Sequence, residues 1–157
     1  MYKRILVPTD GSPISLAATD AALYLARACG SEIVALSVAC PEALLGGVER
    51  GLVSAAGRQA EALLEQADLL VADVAGRARS QGVPCTTDTA YSLTPAEAIV
   101  DAARAHQCDL IVMGSHGQRG LSDRLAGSVT QHVLRYSAVP VMVLRPPLED
   151  AVDNARF

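Results

Sequence analysis

The sequence has very few aromatic side chains. It contains no Trp and one Phe, and aromatic residues make up 3% of its 157 residues. Half of the residues are hydrophobic, so the core must be built from closely packed Ala, Leu and Val side chains. A chain of this length can bury one core without disulfides or metals. We predict one domain over residues 1–147 and a mobile C-terminal tail over residues 148–157.

Long hydrophobic runs and basic patches are also missing. No apolar stretch approaches the roughly 20 residues that a helix needs to cross a bilayer. The first residues lead directly into a strand-like run without the pattern of a signal peptide, so we expect a cytoplasmic protein without a membrane partner. The formal net charge is -4, and without a basic patch nucleic acid is not expected as a partner.

The cysteines do not form a recognisable site. No two of the four make a C-x-x-C pair, and no His stands at a ligand spacing from any of them. We therefore interpret them as small buried hydrophobic residues in a reducing compartment, and predict no metal site. They are Cys29, Cys40, Cys85 and Cys108.

Strand and helix patterns alternate along the whole chain. The first, fourth and fifth strands are continuous apolar runs, which is typical of a parallel sheet covered on both faces. We predict an α/β fold with a single doubly wound, parallel five-stranded sheet in the order 3-2-1-4-5 and helices on both faces. The predicted strands cover residues 4–9, 33–38, 83–89, 109–114 and 139–144.

Helix boundaries carry clear local signals. Ser12 before Pro13 is typical of an N-cap followed by proline in the first helical position, and Gly30 is suited to end that helix. Thr94 and Glu97 have the spacing of a capping box. Residues 41–57 are rich in glycine and lack a period, so we predict an irregular connection before the helical pattern returns at Arg58.

A glycine-rich turn follows the fourth strand. Gly114, Gly117 and Gly120 are spaced three apart, and Gly127 with Ser128 follows seven residues later, just before a helical pattern. Free backbone N–H groups and the helix dipole make such a place suitable for an anion, and we predict Ser128 as the N-cap. Two donor-rich turns favour a polyphosphate, whereas a flexible turn before an ordinary capped helix is the alternative. The spacing is neither a P-loop nor a dinucleotide fingerprint.

Asp10 ends the first strand, opposite the glycine turn. Its carboxylate would repel phosphates, so it is better suited to an amine or a ribose hydroxyl. The alternative is that Asp10 only caps its own turn. Arg119 and Arg124 flank the glycine turn and are candidates to screen phosphate charge. His116 could contact phosphate, but the sequence offers no carboxylate that would orient it as a general base.

These residues together resemble the ATP-binding subclass of the universal stress protein family. The family motif G-x2-G-x9-G-[ST] is complete here as Gly114, Gly117, Gly127 and Ser128. The end of the first strand, residues 7–12, and the last strand, residues 139–144, also resemble the family, so that the likeness covers residues 2–145.

The resemblance implies ATP as the ligand, usually with Mg²⁺. It also implies that Asp10 and Val38 line the adenine end, that the glycine turn and residues 128–130 hold ribose and phosphates, and that a homodimer forms through the fifth strand, Val141–Leu144. The expected cofactor-binding residues are Pro8, Thr9, Asp10, Val38, Gly114, Ser115, His116, Gly117, Arg119, Gly120, Gly127, Ser128, Val129 and Thr130.

Three functions compete at this site. The first is a regulatory module that binds ATP in the stress response. The second is a slow ATPase or phosphoryl-transfer enzyme, which would need a positioned base, metal carboxylates and usually a Lys or Arg clamp. The motif has Arg119, Arg124 and Asp123 nearby but no Lys, so we expect weak hydrolysis at most. A flavin carrier is disfavoured, because its phosphate turn would follow the first strand, where Asp10 would repel it.

Overall fold

A computed structural model describes residues 1–41, 53–116 and 126–146, apart from the side chains of residues 53–56. The predicted tail and part of the predicted 41–57 connection lie outside these residues. The elements follow one another in the order β1 Arg4–Pro8, α1 Pro13–Cys29, β2 Glu32–Ala39, α2 Val53–Ser80, β3 Cys85–Tyr91, α3 Pro95–Ala105, β4 Leu110–Gly114, α4 Ser128–Tyr136 and β5 Val141–Leu144.

The five strands form one parallel sheet in the order β3-β2-β1-β4-β5. In its centre Ile5 is in register with Ile33 of β2 on one side and with Leu110 of β4 on the other. This confirms the predicted α/β fold and strand order. The winding direction reverses between β1 and β4, so the carboxyl ends of these two strands form the place where doubly wound sheets bind ligands.

Two hydrophobic clusters cover the two faces of the sheet. Successive residues of a strand point to opposite faces. Ile5 and Val7 accordingly pack with α1 and α2, whereas Leu6 packs with α3 and α4. All three side chains are fully buried. The absence of polar alternation in β1 and β4 therefore reflects burial on both sides.

Helix α1 follows its sequence signals closely. It begins with Pro13 after the N-cap Ser12 and ends at Cys29. Gly30 then takes the left-handed conformation with φ of 68°, and its N–H donates to the carbonyl of Ala26. Glycine suits this position because it lacks the Cβ that makes left-handed backbone unfavourable in other residues.

Helix α2 begins earlier than predicted. It starts at Val53 rather than Arg58, and Gly57 lies inside it. A glycine in a helix interior costs about 1 kcal/mol relative to alanine but does not prevent helix formation. Val71 and Val74 of this helix belong to the cluster that covers one face of the sheet, and Ala67 is also buried.

Strand β3 is displaced by two residues from its prediction. It covers Cys85–Tyr91 rather than residues 83–89. The N–H of Val83 donates to the carbonyl of Ala78 at 2.9 Å and so closes the preceding helix, and Pro84 has no N–H to donate to a neighbouring strand. The predicted position of this strand at a sheet edge is confirmed.

The predicted capping box at the start of α3 is wrong in its geometry. Thr94 is the N-cap residue, but its side chain makes no capping bond to the backbone. Its hydroxyl instead donates to the Glu97 carboxylate at 3.0 Å. The two side chains bond to each other, and neither satisfies a helix N–H in the reciprocal way that the motif requires.

Among the helices that the structure describes, none is long and apolar enough to span a membrane.

Candidate functional site

The turn between β1 and α1 is held by its own polar groups. The N–H of Thr9 donates to the Leu36 carbonyl at 2.8 Å, which continues the pairing of β1 with β2. One carboxylate oxygen of Asp10 accepts the N–H of Ser12 at 2.9 Å. Asp10 therefore caps its own turn, as the alternative from the sequence proposes.

The hydroxyl groups of this turn bond to one another. Ser12 Oγ accepts the N–H of Ser15 at 3.3 Å, so it caps α1. Thr9 Oγ1 accepts the N–H of Gly11 at 3.3 Å and lies 3.3 Å from Ser15 Oγ. Thr9 is buried. Its predicted contact with a ligand would thus have to come from the backbone, since the side chain is engaged inside the protein.

Gly11 and Gly114 both allow a close approach of chain segments. Gly11 has φ of 77°, and a Cβ there would lie 2.7 Å from Cδ2 of Leu70 in α2. A Cβ at Gly114 would lie 3.0 Å from the Ile14 side chain and 3.3 Å from its backbone carbon. Gly114 is the last residue of β4 and is buried. These glycines therefore bring α1 and α2 against the carboxyl edge of the sheet, a role that the motif spacing alone does not reveal.

Ser115 joins three elements directly after β4. Its N–H donates to the Leu144 carbonyl of β5 at 2.7 Å, and its own carbonyl accepts the N–H of Gly127 at 2.6 Å. Ser115 is fully buried, and its Oγ lies 2.9 Å from Nδ1 of His116. The side chain of Ser115 thus bonds to the imidazole next to it, which is only half-buried.

The start of α4 differs from the prediction. Gly127 is the N-cap residue and Ser128 is the first helical residue, so the predicted cap Ser128 is wrong by one position. Gly127 has extended backbone, with φ of -67° and ψ of 168°, and the helix has no side-chain cap. The helical hydrogen bonds begin with the N–H of Gln131, which donates to the Gly127 carbonyl at 2.9 Å. The N–H groups of residues 128–130 precede that bond, as the first donors of a helix do.

Thr130 lies in the first turn of α4 and is buried. Its hydroxyl donates to the carbonyl of Gly114 at 3.0 Å, which ties the helix to the end of β4. Ser128 is exposed and Val129 is half-buried. Of the three predicted residues 128–130, only Ser128 therefore has a side-chain oxygen that is open to solvent.

The fold brings most of the predicted residues to one edge of the sheet. Pro8 ends β1, Val38 is half-buried near the end of neighbouring β2, and His116 and Gly127 lie beyond β4. The predicted contacts Gly117, Arg119 and Gly120 lie outside the described residues. The sequence did not predict Ile14 or Leu70 as part of this site, because each matters here through a contact with a distant glycine.

The site has two chemically different halves. On the β1 side Asp10 offers a carboxylate, which is suited to hydroxyl or amine donors. On the β4 side the first N–H groups of α4 offer donors and the positive end of a helix dipole, which favour an anion. A ligand that carries a polar, uncharged end and an anionic end matches both halves. A nucleotide is such a ligand.

This arrangement defines a doubly wound α/β domain with a candidate site at its topological switch point. The universal stress protein family model matches residues 1–145, and the chain belongs to that family. Universal stress protein MJ0531 from Methanocaldococcus jannaschii is 33% identical to the chain over 153 residues, which cover 96% of this chain and 86% of that protein.

Solved structures agree with this family assignment. Protein MJ0577 of the same organism is similar to this chain with a TM-score of 0.77 and 30% identity, over 93% of this chain and 97% of that protein. A universal stress protein in complex with cAMP is similar with a TM-score of 0.61 and 26% identity, over 92% of this chain and 97% of the other. The resemblance that the sequence motifs carry is thereby confirmed at the level of family and fold.

Proposed function

We propose that this protein binds ATP at the carboxyl edge of β1 and β4 and acts as a nucleotide-dependent regulatory module in the stress response. The observation that carries the proposal is the start of α4, which opens without a side-chain cap directly beside the end of β4. Membership of the universal stress protein family and the cAMP complex of a similar protein support a nucleotide as the ligand. We also propose the cytoplasm as its location.

In the proposed complex the nucleoside lies over the ends of β1 and β2, and the phosphates lie at the start of α4. Asp10 and Val38 would face the adenine and ribose, and the backbone N–H groups of residues 128–130 would face the phosphates. This orientation keeps the carboxylate of Asp10 away from the anionic end of the ligand. Gly117, Arg119 and Gly120 belong to the proposed phosphate side through the family motif.

Magnesium would come with the nucleotide. The described residues contain no group of three or more His, Cys, Asp or Glu side chains that could hold a metal ion. Mg²⁺ usually keeps several waters and is bound through substrate phosphates with one or two carboxylates. We therefore propose that phosphate oxygens of ATP and water molecules provide most of the Mg²⁺ ligands, so that Mg²⁺ binding depends on ATP.

The first experiment measures thermal unfolding with and without Mg²⁺ and ATP for the wild type and for Gly127→Val. At free ligand of 100 times Kd, ligand binding stabilises a protein by about 2.7 kcal/mol. The Cβ of residue 127 would point toward the Ser115 carbonyl, at 3.4 Å, and His116. A valine there would fill the space between the two phosphate turns, and we expect the shift to disappear.

Gly76→Val is the matched control, because Gly76 lies in α2 and a Cβ there meets no atom within 4 Å. It should keep the full ATP-dependent shift. A full shift in Gly127→Val would contradict the proposed phosphate position. Phosphate release measured on the same proteins separates a regulatory module from an enzyme. Turnover well above ~1 per second, the range of ordinary enzymes, that is lost in Gly127→Val would favour the enzyme.

We further propose a homodimer through β5. This strand lies at one edge of the sheet, and Met142 in its middle is 41% exposed. Exposed edge strands present unpaired backbone groups that a second copy can pair with. Met142→Asp would place two carboxylates close together across such an interface, and light scattering should then report a monomer. Leu69→Asp, at another exposed apolar side chain, is the control, and an unchanged mass in Met142→Asp would exclude this interface.

A further inference from the structure

His116 has a ring nitrogen without a hydrogen-bond partner. Its Nε2 atom is closed to solvent and bonds to none of the residues that the structure describes. The other ring nitrogen, Nδ1, lies 2.9 Å from Ser115 Oγ. Buried polar atoms in proteins nearly always have a partner, so an atom without one calls for an explanation such as a functional role.

The surroundings of Ser115 decide which ring nitrogen carries the proton. Ser115 is fully buried, and His116 Nδ1 is the partner that the described residues offer to its hydroxyl group. If Nδ1 carried the proton and donated it, the buried hydroxyl hydrogen of Ser115 would be left without an acceptor. If the hydroxyl donates to Nδ1, both groups are satisfied, and the ring proton must lie on Nε2. The unpaired atom is then a donor.

The imidazole faces the start of α4. Its Cδ2, the carbon bonded to Nε2, lies 3.8 Å from the position that a Cβ at residue 127 would take, and its Cα lies 3.6 Å from the same point. The Cδ2 carbon of the ring therefore lies near Gly127, the residue whose carbonyl accepts the first helical bond of α4. A donor among other donors is suited to an anionic oxygen.

We propose that His116 holds the Nε2–H tautomer and donates this proton to a phosphate oxygen of the nucleotide, with Ser115 as the positioning residue that fixes the tautomer. This inference rests on the proposed function, and it adds one side-chain donor to the backbone donors of α4. In this proposal Ser115 does not contact the nucleotide through its side chain but acts by fixing the tautomer of His116.

The test is calorimetric titration of ATP and of adenosine into the wild type, His116→Ala and His116→Gln. A hydrogen bond to a charged group corresponds to about tenfold or more in affinity. We expect His116→Ala to weaken ATP binding by about that factor and to leave adenosine binding unchanged. Glutamine can place an amide donor near the position of Nε2, so His116→Gln should retain most of the ATP affinity.

Nitrogen NMR of histidine-labelled protein at pH 8 tests the tautomer itself. The free wild type should show a protonated Nε2 and an unprotonated Nδ1, and the Nε2 resonance should shift when ATP is added but not when adenosine is added. Ser115→Ala keeps the backbone bonds to Leu144 and Gly127, so it should fold. It should show a mixture of tautomers and weaker ATP binding than the wild type.

The outcomes separate the two proposals. If neither ATP nor adenosine binds to the wild type, the proposed function fails and the phosphate contact fails with it. If ATP binds equally well to the wild type and His116→Ala, only the inference about His116 fails. Equal weakening of ATP and adenosine in His116→Ala would also overturn it, because the residue would then support the site as a whole. A protonated Nδ1 in the free wild type would overturn the role of Ser115.

Discussion

A Gly-Ser dipeptide stands at the start of both α1 and α4, beyond the ends of two neighbouring strands, yet the two helices begin at different positions relative to it. In the first, Gly11 is left-handed, Ser12 is the N-cap and Pro13 opens the helix. In the second, Gly127 is itself the N-cap with extended backbone, and Ser128 is already helical. The start of the helix is thus shifted by one residue relative to the same pair of residues.

This shift changes how the first N–H groups of each helix are satisfied. At α1 the side chain of Ser12 accepts the N–H of Ser15, Asp10 accepts the N–H of Ser12, and Pro13 has no N–H. At α4 the N-cap residue Gly127 has no side chain, and no described side chain caps the helix. The first N–H groups of α1 are thus partly satisfied by neighbouring side chains, whereas those of α4 receive no side-chain cap from the described residues.

Among the substitutions that test this comparison, replacement of Gly11 should lower the stability most, because its backbone is left-handed. Gly11→Val would combine unfavourable left-handed backbone, about 1–2 kcal/mol, with overpacking against Leu70, about 1–3 kcal/mol. We expect urea unfolding to report a loss of about 2–5 kcal/mol.

Two controls separate these contributions to the loss in Gly11→Val. Gly82→Val has φ of 69° but no atom within 4 Å of a Cβ, so it should lose only the backbone contribution. Leu70→Ala should make the additional effect of Gly11→Val smaller. If both glycine variants lose equal stability, the contact between Gly11 and Leu70 is not a constraint on the turn.

Removal of the N-cap side chain of α1 should have an intermediate effect on stability. Ser12→Ala removes the oxygen that accepts the N–H of Ser15, and loss of such a cap costs about 1 kcal/mol. Ser12→Gly should cost only a few tenths of a kcal/mol, since glycine is tolerated at N-caps. Both variants should bind ATP like the wild type if the phosphates lie at α4. A large loss of ATP affinity in Ser12→Ala would instead place the anion at α1.

The strand order, and the burial of both faces of the sheet under helices, could be predicted from the sequence because they follow from local patterns. The apolar runs in β1 and β4 require burial on both faces, and the alternation of strands and helices allows few topologies. The placement of the candidate residues at one edge followed from the same reasoning. That much requires no knowledge of individual contacts.

The details that set the chemistry of the site depend on contacts between distant residues. Gly114 looks like part of an anion turn in the sequence, but its missing Cβ makes room for Ile14. Thr130 is expected as a ligand contact, but its hydroxyl bonds to Gly114, so that only its backbone could make such a contact. Ser128 is a residue type that is common at N-caps, but Gly127, whose N–H bonds to the Ser115 carbonyl, is the N-cap, so the helix starts one residue earlier than predicted. Local propensity cannot predict such a one-residue shift.

Gly127→Ser would give α4 a cap like that of α1, and it should have the smallest effect on stability. A serine hydroxyl at the N-cap can accept a hydrogen bond from an N–H of the first turn. The backbone at residue 127 is extended, a conformation that any residue can adopt. Its Cβ would lie 3.4 Å from the Ser115 carbonyl, which is an ordinary contact. We therefore expect urea unfolding to report a gain of a few tenths of a kcal/mol.

The same variant should bind ATP more weakly than the wild type, because its hydroxyl competes with the phosphates for the same N–H groups. Calorimetry on the protein used for unfolding would show the two effects in opposite directions. Gly76→Ser is the control for a new serine elsewhere in a helix and should leave the affinity unchanged. If Gly127→Ser gains stability without losing affinity, the open start of α4 does not bind the anion, and the difference between the two helices is structural only.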